Sequence, residues 1–188
     1  MTRRQVIGFL VVLALIGGGL LARSRGGSHD GLRALRQAAA LQPCPPGIGT
    51  GLPDLRLDCL AGGKQVPLRA AGPGVPMLVN LWATWCPPCV QEVPDLVEFA
   101  GKSAGRVAVV GVDIEDEPSD ALKFAQQYGM RYPSVVDPNG RVLRTYGGGP
   151  PITLFVDAKG VIRYQHRGRL QSVPQIEQLV AQHLGVSL

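Results

Sequence analysis

From residue 77 onward, the chain alternates between strand-like and helix-like patterns. Residues 77–82 are apolar on both faces except for Asn80, which is typical of a strand covered on both sides. Helical apolar spacing follows over 86–99. Further strands are predicted at 107–114, 134–136, 152–156 and 161–165, and further helices at 119–128, 141–146 and 172–184. This alternation predicts an α/β domain with a mixed sheet flanked by helices, its last two strands antiparallel.

A shorter pattern precedes this alternation. Apolar and polar residues alternate over 55–57, apolar residues return over 66–68, and a glycine-rich turn separates them, so we expect a β-hairpin in front of the main fold. The compact domain is predicted over residues 52–188. Residues 24–51 are predicted to be a linker with one short helix over 30–41.

The first 23 residues have the pattern of a membrane anchor. Residues 6–22 carry no charged side chain, and arginines flank them on both sides. As a helix this segment would be roughly 25 Å long. We expect residues 1–23 to span the cell membrane once and to leave the domain on the extracytoplasmic side. The alternative is a signal that is cleaved, which would release a secreted protein.

Composition and charge narrow the possible function classes. With 45% hydrophobic and 18% charged residues, the chain can bury one substantial core. Four of the arginines behind the net charge of +5 flank the apolar leader, so the rest of the chain is nearly neutral. A nucleic-acid partner is therefore not expected. The acidic run at 115–117 is predicted to be a solvated loop, because contiguous carboxylates lack the spacing of a calcium site.

The four cysteines form two pairs of different kinds. An even number of cysteines in an exported chain favours disulfides. Cys44 and Cys59 enclose a stretch rich in glycine and proline, so we predict a structural disulfide between them, with two unpaired thiols as the alternative. Cys86 and Cys89 are three positions apart, where a predicted strand gives way to a predicted helix.

The position of Cys86 favours redox chemistry. The N-terminus of a helix stabilises a thiolate, so Cys86 is predicted to be the nucleophile, and Cys89 one turn later is predicted to resolve the mixed disulfide. Zinc would need two further ligands, and a c-type haem would need histidine where Val90 stands. We therefore predict thiol–disulfide exchange without a metal or another cofactor.

The neighbours of the two cysteines define an expected substrate surface. Trp85 flanks the nucleophile and is predicted to contact substrates. Pro87 and Pro88 have no N–H to offer a thiolate, which favours a reducing couple with a potential near that of thioredoxin.

A family resemblance adds to this interpretation. Residues 78–89 (LVNLWATWCPPC), followed by Glu92 and Pro94, resemble the membrane-anchored thioredoxin-like proteins of the TlpA/ResA type. The resemblance extends from about Leu52 to Leu184. It implies a thioredoxin-like fold with an added N-terminal β-hairpin and an insertion around residues 113–130. It also implies extracytoplasmic thiol chemistry of the kind that serves cytochrome c biogenesis.

The resemblance also assigns roles to individual residues. Glu92 matches the glutamate that accepts the proton of the second cysteine, while Asn80 stands where cytoplasmic thioredoxins have a buried aspartate; a surface Glu92 is the alternative. Pro151 matches a cis proline that faces the two cysteines, with an ordinary trans proline as the alternative. Pro150 departs from the family pattern, because it cannot donate an N–H to a substrate strand.

Together these predictions describe a reductase of disulfides in exported proteins. The resemblance implies apocytochrome c as a client and a membrane protein of the thiol-transfer type as electron donor. A disulfide-forming oxidant and a redox-sensing interaction module are the alternatives. The reduction potential distinguishes a reductase from an oxidant. Trapping of mixed disulfides by Cys89→Ser distinguishes an exchange enzyme from an interaction module.

Overall fold

A computed structural model of the chain describes residues 30–103 and 105–188. Its strands are β1 (Arg56–Cys59), β2 (Val66–Pro67), β3 (Met77–Trp82), β4 (Ala108–Ile114), β5 (Ser134–Asp137), β6 (Ile152–Val156) and β7 (Ile162–Arg167). Its helices are α1 (residues 30–39), α2 (Pro87–Ser103), α3 (Pro118–Gln127), α4 (Arg141–Tyr146) and α5 (Val173–Leu184).

The strands form one mixed sheet in the order β2-β1-β5-β4-β3-β6-β7. Strands β3, β4 and β5 are parallel, and β6 and β7 continue the sheet in antiparallel fashion from β3. The predicted hairpin is present, and β1 pairs with β5, so the hairpin extends the sheet at that side. The predicted α/β class and mixed sheet are therefore confirmed.

Both faces of the central strand β3 are covered. Leu78 and Trp82 belong to the core on the side of α2, whereas Met77 and Leu81 belong to the core on the opposite side. Because side chains alternate along a strand, Asn80 lies on the same face as Leu78 and Trp82. A polar side chain is thereby placed inside the core beneath α2, where Asn80 is fully buried.

The predicted linker is wrong for the residues immediately before Leu52. Ile48 is completely buried, and the N–H of Gly49 donates to the carbonyl of Leu68 at 3.0 Å. Ala39, at the end of α1, is also completely buried. The glycines and prolines of this segment hide any apolar periodicity, so only its tertiary contacts reveal that it packs into the domain.

The predicted anchor at residues 1–23 and the start of the predicted linker lie outside the described residues. Within the described part of the chain, no helix has both the length and the apolarity needed to cross a bilayer.

Candidate active site

The two closely spaced cysteines lie where β3 passes into α2. The chain turns after Trp82, and the N–H of Cys86 donates to the carbonyl of Ala83 at 3.3 Å. Helix α2 then begins at Pro87. Prolines are tolerated in the first turn of a helix, because the N–H groups there have no partner within the helix. Cys86 and Cys89 form a disulfide, with their Cα atoms 5.3 Å apart.

Access to this disulfide is from the side of Cys86. Trp85 is 52% exposed, and Pro87 and Pro88 are exposed beside it, whereas Cys86 is 3% and Cys89 0% exposed. The N–H of Cys89 donates to Sγ of Cys86 at 3.2 Å. Cys86 is therefore the sulfur that lies nearer to the surface and that has a hydrogen-bond donor in place.

A second loop contacts the same sulfur. The carbonyl oxygen of Pro150 lies 3.4 Å from Sγ of Cys86, and the bond between Pro150 and Pro151 is cis. Pro151 is buried, while Pro150 is half-buried. The structure thus brings Pro150 and Pro151 next to the Cys86–Cys89 disulfide, as the sequence predicts.

Arg167 supports this second loop, although no sequence pattern indicated it. Its guanidinium donates to the carbonyls of Tyr146 and Gly147, at 2.5 and 2.8 Å. On the next residue, the N–H of Gly168 donates to the carbonyl of Pro151 at 3.0 Å. Arg167, the last residue of β7, and Gly168 after it therefore hold the chain on both sides of Pro150.

Glu92 is completely buried one helical turn after Cys89. Its carboxylate accepts hydrogen bonds from the Asn80 side chain at 2.7 Å and from the Leu170 N–H at 2.9 Å. Burial raises the pKa of Glu92 to about 7, although these two hydrogen bonds and the charge of Arg169 oppose the rise. A surface position for Glu92 is therefore excluded, and the side chain can gain or lose a proton near neutral pH.

Asn80 connects Glu92 to the strand that follows Pro151. Its side-chain N–H₂ donates to Glu92 and, at 3.0 Å, to the hydroxyl of Thr153. Its carbonyl oxygen has no hydrogen-bond partner among the described residues. An amide has both donors and an acceptor, so rotation of Asn80 would let it accept from a protonated Glu92. Asn80 can thus serve Glu92 in either protonation state.

The acidic run at 115–117 is more than the solvated loop that the sequence predicts. Asp116 is half-buried, and its two carboxylate oxygens accept the N–H and the O–H of Thr84, each at 2.6 Å. Thr84 lies in the turn just before Trp85 and Cys86. The loop after β4 reaches this turn because β4 is the parallel neighbour of β3. That pairing is a tertiary feature, so the local sequence gave no signal of it.

The structural disulfide predicted for Cys44 and Cys59 is present, with Cα atoms 5.9 Å apart. It joins the segment that precedes the hairpin to β1. Sγ of Cys44 also lies 3.3 Å from the carbonyl oxygen of Ser134 on β5. This disulfide fastens the N-terminal segment to the sheet, and it shares no residue with the Cys86–Cys89 site.

Metal coordination has no obvious place in the described residues. No group of three or more histidine, cysteine, aspartate or glutamate side chains within 30–103 and 105–188 is arranged to hold a metal ion.

Comparison with known proteins gives consistent matches. A family profile described as Redoxin matches residues 48–180. The DsbE homologue of Paracoccus denitrificans, a thiol:disulfide interchange protein, is 38% identical over 146 residues, which are 71% of this chain and 78% of that protein. The thiol-disulfide oxidoreductase ResA of Geobacillus thermodenitrificans is 32% identical over 118 residues, 62% of this chain and 67% of that protein.

A solved structure agrees with these relatives. The structure of a secreted thiol-disulfide isomerase from Corynebacterium glutamicum has a TM-score of 0.60 and 25% sequence identity. The match covers 71% of this chain and 83% of that one.

Proposed function

Because the chain belongs to the Redoxin family of thioredoxin-like thiol-disulfide oxidoreductases, related to DsbE and ResA, we propose that it reduces disulfides in exported proteins. Cys86 is the nucleophile and Cys89 the resolving cysteine of this reaction. The arrangement that supports these roles is the placement of Cys86 at the start of α2, under exposed Trp85, with Cys89 buried one turn behind.

The proposed reaction balances as a two-electron transfer. The Cys86 thiolate attacks one client sulfur, and the other client sulfur leaves and takes up a proton. Cys89 then loses its proton and attacks Sγ of Cys86, which releases the second client thiolate. The client gains two electrons, and the Cys86–Cys89 disulfide forms; of the two protons that the client thiols finally carry, one equals the proton lost by Cys89 and the other comes from solvent. A donor dithiol regenerates the reduced protein by the same two steps in reverse.

The surroundings of Cys86 favour a reducing direction. The Cys89 N–H contacts Sγ of Cys86, whereas Pro87 and Pro88 have no N–H to add. Strong oxidants of this fold owe their potential to a well-stabilised thiolate in the reduced form. With fewer donors available, the thiolate of Cys86 is less stabilised, and the disulfide form is correspondingly favoured.

Glu92 is proposed to accept the proton of Cys89. The two side chains are buried on the same face of α2, one turn apart. A carboxylate with a pKa raised to about 7 by burial is a suitable base near neutral pH. Its two hydrogen bonds, from Asn80 and Leu170, hold the carboxylate in place.

The substrate surface is proposed to comprise Trp85, Pro87, Pro88 and Pro150, with Pro151 beneath it. The exposed rings of the first three surround the approach to Cys86. Pro150 offers a client its carbonyl oxygen but no N–H. Clients are therefore held here more by apolar contact than by strand pairing.

Residues 1–23 are proposed to tether the domain, which lies outside the cytoplasm. A membrane protein of the thiol-transfer type then supplies electrons, and apocytochrome c is the proposed client. The apolar leader and the kinship with DsbE and ResA support this assignment.

Two measurements test the proposed function. Equilibration of the Cys86–Cys89 couple with glutathione should give a potential near about −270 mV, and a value above roughly −180 mV would overturn the reducing assignment. In membranes, Cys89→Ser should accumulate mixed disulfides with exported proteins through Cys86. The matched control, Cys86→Ser combined with Cys89→Ser, should accumulate none. Absence of adducts from Cys89→Ser would favour an interaction module instead.

A further inference from the structure

We propose that Asp116 is a positioning residue for the Cys86–Cys89 couple: its carboxylate holds Thr84 and so fixes the turn that presents Trp85 and Cys86. The inference rests on the proposed exchange through Cys86, but it does not depend on the direction of electron flow or on the client.

The contact between Asp116 and Thr84 is a double one. One carboxylate oxygen accepts the backbone N–H of Thr84 and the other accepts its hydroxyl, both at 2.6 Å. Hydrogen bonds to a charged acceptor are shorter and stronger than neutral ones, and two of them fix an orientation as well as a distance. The same turn is closed by the bond from the Cys86 N–H to the Ala83 carbonyl. Every residue from 83 to 86 except Trp85 is therefore tied by a hydrogen bond.

The helix supplies only part of this restraint, because it binds Cys86 but not Thr84: the carbonyl of Cys86 accepts the N–H groups of Cys89 and Val90, at 3.0 and 3.1 Å. Cys86 precedes the first residue of α2, and a residue in that position is usually fixed by bonds to the first N–H groups of the helix. Pro87 and Pro88 have no N–H. The next one, that of Cys89, is shared between Sγ and the carbonyl oxygen of Cys86. Asp116 thus adds, from the loop after the neighbouring strand, a restraint on Thr84, which the first turn of α2 does not reach.

Asp113 lies behind Asp116 at the end of β4. It is completely buried, and neither of its carboxyl oxygens has an N–H or O–H partner among the described residues. Burial, aided by Asp116 and by the charge of Asp137 on β5, raises the pKa of Asp113 to about 9. One carboxylate oxygen of Asp137 accepts the Val142 N–H at 2.7 Å, and the other has no hydrogen-bond partner among the described residues.

This arrangement matters for exchange because the attacking sulfur must line up with the disulfide it meets. A displacement of about 1 Å in a reacting group can cost on the order of a hundredfold in rate. If the Thr84 contact is lost, Trp85 and Cys86 lose the restraint on their side of the turn, while α2 and the sheet remain intact. The expected consequence is slower chemistry in a folded protein.

The test compares Asp116→Asn, Thr84→Val and the double variant with Glu117→Gln. Glu117 is the adjacent acidic residue; it is exposed and its side chain makes no capping bond, so it controls for loss of charge alone. Three quantities are measured. The first is the rate at which dithiothreitol reduces the Cys86–Cys89 disulfide, and the second is the rate at which the reduced protein reduces a disulfide client. The third is the midpoint of thermal unfolding. Thr84→Ser, which keeps the hydroxyl, serves as the rescue variant.

We expect Asp116→Asn and Thr84→Val each to lower both rates by about tenfold, within the range that such a misalignment allows. The double variant should be no slower than either single one, because both remove the same contact. Thr84→Ser and Glu117→Gln should react at nearly the wild-type rate.

Three results would overturn the proposal. If Glu117→Gln slowed exchange as much as Asp116→Asn does, the loss of a negative charge alone would explain the slower rate. If the rate loss of the double variant equalled the product of the two single losses, Asp116 and Thr84 would act separately. Unchanged rates with a lowered thermal midpoint would leave Asp116 a structural role. A high reduction potential in the wild type would overturn the reductase function and leave the dithiothreitol comparison unaffected, so the two failures are distinguishable.

Discussion

Replacing Glu92 with glutamine tests the central acid–base assignment through stability as well as activity. Glu92 is completely buried, and burial raises its pKa from 4.5 to about 7. In the unfolded chain the carboxyl ionises at the lower value, and in the folded protein at the higher one. The folded protein therefore binds this proton more tightly than the unfolded chain does between these two pH values.

The sign and size of the effect follow from linkage. The protonated carboxyl contributes to the free energy of unfolding. This contribution is fully present below about pH 4.5 and is lost as the pH rises through about 7. Each pKa unit corresponds to about 1.4 kcal/mol, so the shift amounts to roughly 3 kcal/mol. Glutamine does not ionise. The unfolding free energy of the wild type should therefore fall, relative to Glu92→Gln, by about 3 kcal/mol between pH 4 and pH 8.

Glutamine can be accommodated in the existing hydrogen-bond network. Its oxygen can accept the Leu170 N–H, and its N–H₂ can donate to the Asn80 carbonyl oxygen, which has no partner among the described residues. Any constant cost of this exchange is the same at every pH. The difference between the two proteins consequently isolates the titration of Glu92.

Urea unfolding of the oxidised proteins at several pH values between 4 and 8 provides the assay. Glu98→Gln is the control, because Glu98 is exposed on the same helix and its ion pair with Lys102 is solvated. The unfolding free energy of Glu98→Gln should change with pH in the same way as that of the wild type. If the unfolding free energy of Glu92→Gln also followed the wild type across this pH range, the raised pKa of Glu92 would be refuted. The same variant should exchange disulfides more slowly at pH 7, since Cys89 loses its proton acceptor.

Three further predictions concern the substrate surface and the second disulfide. Trp85→Ala should raise the KM for a protein disulfide several-fold and leave reduction by dithiothreitol unchanged, because Trp85 is half-exposed beside Cys86; an equal change in both assays would contradict a role in client binding. Pro150→Ala should raise kcat/KM for a peptide disulfide by restoring an N–H, and an unchanged or lower value would argue against client pairing at this position. Replacing both Cys44 and Cys59 with alanine should lower the unfolding free energy by about 3 kcal/mol, as expected for the 15-residue separation, without moving the potential of the other couple; a shifted potential would show that the two disulfides are linked.

Sequence patterns were sufficient for the features that depend on near neighbours. The apolar run of 77–82 predicted β3 with its observed ends, and the spacing of Cys86 and Cys89 predicted a disulfide across the first turn of α2. Both follow from local periodicity and from the geometry of a helix N-terminus. The Cys44–Cys59 disulfide was also predicted, because the two cysteines enclose a stretch rich in glycine and proline. The family motif added Glu92 and Pro151, which periodicity alone would not have identified.

Contacts between distant segments were decided by the tertiary structure alone. Parallel pairing of β3 with β4 carries Asp116 to Thr84, and pairing of β6 with β7 carries Arg167 to the loop before Pro150. These partners are far apart along the chain, so no local pattern marks them. Burial likewise turned Glu92 from an ordinary carboxylate into a group that titrates near neutral pH. The sequence by itself determined which atoms can carry the chemistry; the packing determined their pKa values and their orientation, because desolvation and long-range hydrogen bonds exist only once the sheet is assembled.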